Sequence, residues 1–156
     1  MSNSAVDRFL VQAHKLGLQP SIKTFPAETR TAQQAAEAIG CTIAQIVKSL
    51  VFIADGKPVL ALTSGSNRVD EDKLAQVIGA DSLRKANADE VREATGFAIG
   101  GTPPFGHATA VPVVCDRDLT TYDEVWAAAG SPTSVFALTP QELLDATSAE
   151  VVDLAA

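Results

Sequence analysis

Histidine and cysteine are scarce in this chain, with two of each among 156 residues. His14, His107, Cys41 and Cys115 stand far apart in sequence, whereas zinc sites gather several ligands at favourable spacing, so no structural or catalytic metal is expected. So few cysteines cannot make a disulfide framework, and each sits among apolar or small neighbours; buried free thiols in a reducing compartment are the expectation. The chain also lacks a GxxxxGK(S/T) phosphate loop and a GxGxxG turn after a strand, which leaves nucleotide hydrolysis and dinucleotide chemistry without support. No cofactor is therefore expected. Neither histidine stands in a nucleophile-elbow context, although the members of a triad need not be close in sequence.

Long apolar runs are missing as well. None approaches the roughly 18 residues of a membrane span, and the N-terminal stretch carries Asp7 and Arg8 where a secretion signal would be apolar. A cytoplasmic protein without membrane association is the expectation. Positive charge is in deficit: 12 Lys and Arg against 19 Asp and Glu give a net charge of −7, which argues against a broad basic face for nucleic acid. The deficit is uneven. Residues 1–60 hold six basic and four acidic side chains, and residues 61–156 hold six and fifteen, so a polyanion would meet the N-terminal part.

What is present points to a folded chain. Hydrophobic residues make up 46% and charged ones 20%, and the length suits one domain over 1–156. Ser4 is placed to cap a helix with Val6, Phe9, Leu10 and Ala13 on one face, ended by Gly17. A short strand follows at Ile22 to Phe25. Thr31 and Gln34 form a capping-box pattern before AQQAAEAI, which stops at Gly40, and a helical turn is predicted over Thr42 to Val47.

The strongest strand signal, SLVFIA, is joined by Asp55 and Gly56 to VLALTSG, predicting a central hairpin. Asp70 opens a helix through Leu74, Val77 and Ile78, and Asn87 with Glu90 opens another that ends at Gly96. AVPVVCD reads as a buried strand that Pro112 confines to an edge or a bulge. VFAL is a strand, TPQELL a helix start, and EVVDL a last strand. Hairpins mixed with helices predict an α+β fold, a mixed sheet flanked by helices.

Two features carry candidate chemistry. Lys48 stands just before SLVFIA, where an ammonium at a strand end can serve a site, although position alone favours a surface lysine snorkelling at a strand edge. The segment GFAIGGTPPFGH, Gly96 to His107, pairs Gly100 and Gly101 ahead of two prolines. Such a loop either presents fixed backbone N–H groups to an oxyanion or is simply a rigid connection. His107 closes it and reads as a loop-anchoring hydrogen-bond partner.

Taken together, RTAQQAAEAIGCTIAQIVKSLVF, GGTPPFG, VVCD and AAGSPTSVFALTPQEL resemble the YbaK/EbsC family of aminoacyl-tRNA editing domains, in the expected order over nearly the whole chain. The resemblance implies a free-standing relative of the editing insertion of prolyl-tRNA synthetase, with a mixed, partly barrel-like sheet surrounded by helices. It implies a deacylase that hydrolyses the ester of a mischarged tRNA in trans, tRNA(Pro) or another tRNA carrying a small wrong amino acid. The lysine matching Lys48 is implied to be required for activity, and the glycine matching Gly101 to lie where the ester carbonyl is held. Partners implied are the aminoacyl-tRNA acceptor end and an aminoacyl-tRNA synthetase.

Gly100 and Thr102 complete the implied carbonyl loop, and Thr31, Ser49, Ser64, Gly130, Ser131 and Thr133 are candidates for the wall of the selectivity pocket. The resemblance implies that relatives vary at the positions matching Thr31 and the segment after Gly130, with a histidine among them in the alanine-specific branch. Here Ser131-Pro132-Thr133 stands instead, which leaves serine, threonine, cysteine or another small amino acid open. A non-catalytic tRNA- or synthetase-binding module of the same fold is the rival reading.

Overall fold

Each helix begins where a short polar side chain precedes an apolar stripe. Ser4 accepts the Asp7 amide at 3.1 Å and opens α1 (Ala5–Lys15), which buries Phe9 and Ala13. Reciprocal capping boxes open α2 (Ala32–Ile39) at Thr31 and Gln34, α4 (Ala88–Thr95) at Asn87 and Glu90, and α5 (Pro140–Thr147) at Thr139 and Glu142. Asp70 caps α3 (Glu71–Ile78) by accepting the Lys73 amide at 3.1 Å. The computed structural model describes residues 4–26 and 31–156. Arg30, in the first of the family-like segments, lies outside them.

The strands are β1 (Ile22–Thr24), β2 (Ile46–Ala54), β3 (Lys57–Ser64), β4 (Leu83–Lys85), β5 (Val113–Asp116), β6 (Val125–Ala128), β7 (Ser134–Leu138) and β8 (Glu150–Val152). They form one mixed sheet in the order β1-β7-β6-β2-β3-β5-β8, with β4 also paired to β2. The β2–β6, β3–β5 and β5–β8 pairs are parallel and the rest antiparallel. At the centre is the hairpin of β2 and β3. Ala54 lies opposite Lys57, and Asp55 and Gly56 both take positive φ, 49° and 83°, the two-residue turn whose twist matches paired strands.

Three details differ from the sequence expectation. The helical turn is shorter, a 3₁₀ turn at Ile43–Gln45, because Ile46 and Val47 pair with Trp126 and Ala127 and are drawn into β2. Lys48 is consequently the third residue of β2 instead of preceding it. β5 is an interior strand between β3 and β8: Pro112 precedes it, offering its carbonyl to the Leu60 amide at 2.9 Å, so no ladder N–H is missed. The short strands β4 and β6 carry too little alternation to have been marked.

Strand alternation divides the apolar residues between two clusters. Val47 and Val51 of β2 and Leu60 and Leu62 of β3 join the larger cluster, while Phe52, Val59 and Ala61 join the smaller one with Leu74 and Leu154. Inside the larger cluster Phe9 of α1, Phe136 of β7 and Phe105 form an aromatic trio with centroids 4.8 to 5.9 Å apart. Phe105 belongs to the glycine loop, so the core holds that loop directly.

Candidate functional site

One edge of β2 is interrupted. Across it, β6 pairs with Ile46 and Val47, and β4 pairs with Phe52 to Ala54, leaving Lys48 to Val51 outside both ladders, although the Val51 carbonyl still accepts the Ala86 amide at 3.0 Å. Their other edge is fully paired with β3, which keeps β2 continuous through the interruption. A pocket of ≈ 390 Å³ occupies the gap. Its wall includes Ile46 to Val51 of β2, Lys85 at the end of β4 and Ala86 after it, Val91 of α4, Trp126 and Ala128 of β6, Val135 of β7, and Ile99, Gly100 and Thr102 of the loop.

Lys48 is half-buried, and its Nζ donates to the Asn67 carbonyl at 2.7 Å. Burial, then the nearby charges of Lys85 and Arg68, push its pKa below the usual lysine range, and the buried Asp116 partly opposes them. Asp116 is also the anchor of this corner. It accepts the Ser64 amide at 3.0 Å and the Asn67 side chain at 2.8 Å, and Asn67 Nδ2 reaches Asp118 at 2.8 Å as well. The residue that receives the ammonium is thus itself tied to two carboxylates.

The loop after α4 is built for close approach. A Cβ on Gly101 would lie 2.8 Å from both Cα and the carbonyl carbon of Ser131 and 2.9 Å from Pro132 N, so only glycine lets the loop rest on that backbone. The Gly101 N–H donates to the Ala98 carbonyl at 3.0 Å and is therefore spent on the turn. Gly100 and Thr102 line the pocket, and among the described residues their N–H groups have no hydrogen-bond acceptor. His107 Nε2 lies 2.7 Å from the Pro103 carbonyl, closing the loop, and burial holds its pKa below the usual histidine range. It anchors the loop, as its position in the sequence suggested.

Thr31, Lys48, Ser49, Gly100 and Thr102 therefore meet at one pocket. The other candidates stand around it. Gly101 backs the loop; Gly130 is packed against the start of α1, where a Cβ would lie 2.7 Å from the Ala5 carbonyl oxygen. Ser131 and Ser134 share a hydroxyl–hydroxyl hydrogen bond at 2.7 Å, and the Thr133 carbonyl accepts the Phe25 amide at 2.8 Å. Of that segment Pro132 is the residue on the wall. Ser64 is fully buried and its hydroxyl donates to the Ala44 carbonyl at 2.7 Å, a structural bond within the fold.

Sequence reasoning missed Lys85, Trp126 and Ile99. Their strands or loop positions gave no periodic signal, and only the tertiary gap beside β2 makes them neighbours. Nucleophilic chemistry by cysteine is disfavoured, since burial pushes the Cys115 thiol up to about 12 and also raises that of Cys41. Among the described residues no group of His, Cys, Asp and Glu is gathered to hold a metal ion, and no helix is long and apolar enough to cross a membrane.

The family model for aminoacyl-tRNA editing domains matches residues 26–146, which contain Lys48, the glycine loop and every residue of the pocket lining except Phe25. This chain belongs to the aminoacyl-tRNA editing domain family. The editing domain is 38% identical over 123 residues to an uncharacterized protein, YwhH, of Bacillus subtilis, covering 78% of each. It is 42% identical over 87 residues to proline–tRNA ligase of Lactobacillus gasseri, spanning 56% of this chain and 15% of the ligase. Homology to the editing insertion of prolyl-tRNA synthetase follows. A crystal structure described as a candidate trans-editing enzyme for prolyl tRNA synthetase superposes with a TM-score of 0.94 at 46% identity, over 100% of this chain and 99% of that one. The mixed α/β fold of the editing domain is thus shared with an editing protein along its whole length.

Proposed function

We propose that this editing domain is an aminoacyl-tRNA deacylase acting in trans on a tRNA that carries a small wrong amino acid, tRNA(Pro) being the first candidate. The observation that carries the reading is that Lys48 shares the wall of the pocket at the gap beside β2 with Gly100 and Thr102, whose N–H groups have no acceptor among the described residues. An aminoacyl ester is already activated, so positioning and stabilisation of the developing oxyanion supply most of what hydrolysis needs.

In this mechanism the loop N–H groups of Gly100 and Thr102 polarise the ester carbonyl. Lys48 places the terminal nucleotide through its phosphate or the carbonyl region, with Lys85 and Arg68 adding positive charge nearby. Water, oriented by the ribose hydroxyl of the substrate, adds to the carbonyl carbon. The ester C–O bond then breaks, and the proton shed by the water ends on the departing ribose oxygen. The free amino acid and the deacylated tRNA leave, with no protein nucleophile and no covalent intermediate. With a net charge of −7 the domain meets the tRNA locally, at the acceptor end, and a synthetase is the natural supplier of further affinity.

The test offers the purified protein tRNA(Pro) bearing alanine, cysteine, serine or proline, with a folded Lys48→Ala variant alongside. Hydrolysis of a wrong ester, sparing of prolyl-tRNA and loss of activity in the variant are expected. Saturable tRNA binding with no hydrolysis of any ester would instead assign a non-catalytic binding module.

A further inference from the structure

Asp116 is the one charged side chain among the buried residues described, with 1% of its surface exposed. A carboxylate in such a place destabilises the fold unless donors surround it. They do, and all of them are neutral. Oδ2 accepts the Ser64 amide at 3.0 Å and Asn67 Nδ2 at 2.8 Å, and Oδ1 accepts the Asp118 amide at 3.0 Å. A cation stands nearby: the Asp116 charge acts on Lys48, yet among the described residues no ion pair joins the two.

Asn67 lies between them. Its carbonyl oxygen takes the Lys48 ammonium at 2.7 Å, and its side-chain amide donates to Asp116 and to Asp118, each at 2.8 Å. The turn that carries it is fixed by two main-chain bonds, from Asn67 N–H to the Ser64 carbonyl at 2.9 Å and from Gly65 N–H to the Ile46 carbonyl at 2.7 Å. Both halves of a salt bridge are thus present in one corner, held apart by one neutral residue. An ammonium has three N–H groups, and Lys48 spends one of them on Asn67. Without the amide, Asp116 would keep a buried lone pair with no donor, and Lys48 would be the cation at hand to fill it. That pairing would neutralise the charge presented to the pocket.

We infer that Asn67 is a positioning residue for Lys48: its carbonyl aims the ammonium, and its side chain occupies Asp116 so that the carboxylate does not capture that ammonium. The role rests on the deacylase reading, in which Lys48 serves the substrate, and it belongs to a residue that does not line the pocket. The other charges acting on Lys48 are those of Lys85 and Arg68, and they stay in place whichever partner the ammonium takes.

Two measurements on Asn67→Ala test the assignment. The first is the single-turnover rate on a mischarged tRNA, for the unmodified protein, Asn67→Ala, Lys48→Ala and the double variant. Asn67→Ala is expected to lose about tenfold or more, as a misdirected electrostatic group does, and to cost less than about twofold once Lys48 is already gone. A residue that merely supports the fold would cost the same in both backgrounds. The second follows the Lys48 side chain of the free protein by NMR through a pH titration. Its midpoint is expected to lie below the usual lysine range in the parent and to rise in Asn67→Ala, because a carboxylate pair favours the ammonium. Asn67 is half-buried in a turn, and a denaturant melt confirms that the variant folds. Unaltered activity in Asn67→Ala, an equal loss in the Lys48→Ala background, or a midpoint that does not rise overturns the assignment and leaves the deacylase reading standing. If the parent hydrolyses no ester, the deacylase reading falls, and the titration alone decides whether Asn67 keeps the pair apart.

Discussion

The Lys48 ammonium is held at 2.7 Å by the carbonyl oxygen of Asn67, a neutral group, and not by a carboxylate. Its direction is fixed while its net charge stays available to a phosphate or a carbonyl oxygen. Lys48→Ala, or Lys48→Met to keep the apolar stem, is expected to lower deacylation by about 10²-fold or more, as loss of a preorganised electrostatic group does. Stability is expected to change by less than about 1 kcal/mol, since the desolvation of a cation is relieved as its hydrogen bond is lost. Denaturant melts beside single-turnover rates check both halves. Retained activity in both variants would remove Lys48 from the mechanism.

Burial and the neighbouring Lys85 and Arg68 lower the pKa of Lys48 from 10.5, and Asp116 works against them. The ammonium is present below the lowered value and is lost as pH rises through it. Activity, corrected for uncatalysed ester hydrolysis, is therefore expected to fall on the alkaline side earlier than an ordinary lysine would dictate. Asp116→Asn removes the opposing charge and should move that limb to still lower pH, whereas Lys85→Gln should move it up. A pH–rate profile that neither substitution shifts would show that another group titrates.

Gly101 and Gly100 separate packing from backbone conformation. Gly101→Ala drives a Cβ to 2.8 Å from backbone atoms of Ser131, so the loop and the 131–132 segment must part, at an expected cost of about 1–3 kcal/mol together with most of the activity. Gly100 has φ +86° and its added Cβ would meet nothing closer than Pro132 Cγ at 4.0 Å. Gly100→Ala is expected to cost about 1 kcal/mol of left-handed strain and to leave the loop on its backing. Comparative melts and rates of the two variants decide the matter, and equal effects would contradict it.

The pocket wall also depends on the start of α4. Glu90 forms a bidentate pair with Arg84 of β4 at 2.7 and 2.8 Å and closes the capping box by accepting the Asn87 amide at 2.9 Å. These contacts hold its carboxyl down at about 2, against 4.5 for an ordinary glutamate. Because the folded value is the lower one, the contribution is complete above about 4.5 and is lost as pH falls towards 2. Glu90→Gln is expected to flatten the acid limb of a stability curve followed by circular dichroism. An unaltered acid limb would mean that the pair does not couple to folding.

Local chemistry made much of this molecule legible before folding. Ser4, Thr31, Asp70, Asn87 and Thr139 each cap the helix their sequence context announces, and Asp55-Gly56 turns the hairpin. Lys48, Thr31, Ser49, Gly100 and Thr102 come together at one pocket although the outermost two, Thr31 and Thr102, are 71 residues apart in sequence. What stayed hidden is what long-range pairing decides. The length of β2 at its start depends on β6, the interior place of β5 depends on β8, and Lys85 and Trp126 reach the pocket only because two short strands stop on either side of four residues. Ser64, one of the candidates for the wall, is drawn inward by the Ala44 carbonyl.

The interruption along β2 has a further consequence, for association between molecules. An exposed strand edge ordinarily invites another chain to add itself by main-chain pairing. Here the stretch outside both ladders is the four residues Lys48 to Val51, bounded by β6 at one end and β4 at the other, and the last of them already accepts the Ala86 amide. An extended segment from a second molecule finds no run long enough to zip onto, and half-buried Lys48 sets a charge there. An opening this short offers a polypeptide no ladder to extend, so this edge stays unpaired without the usual hazard of intermolecular sheet growth.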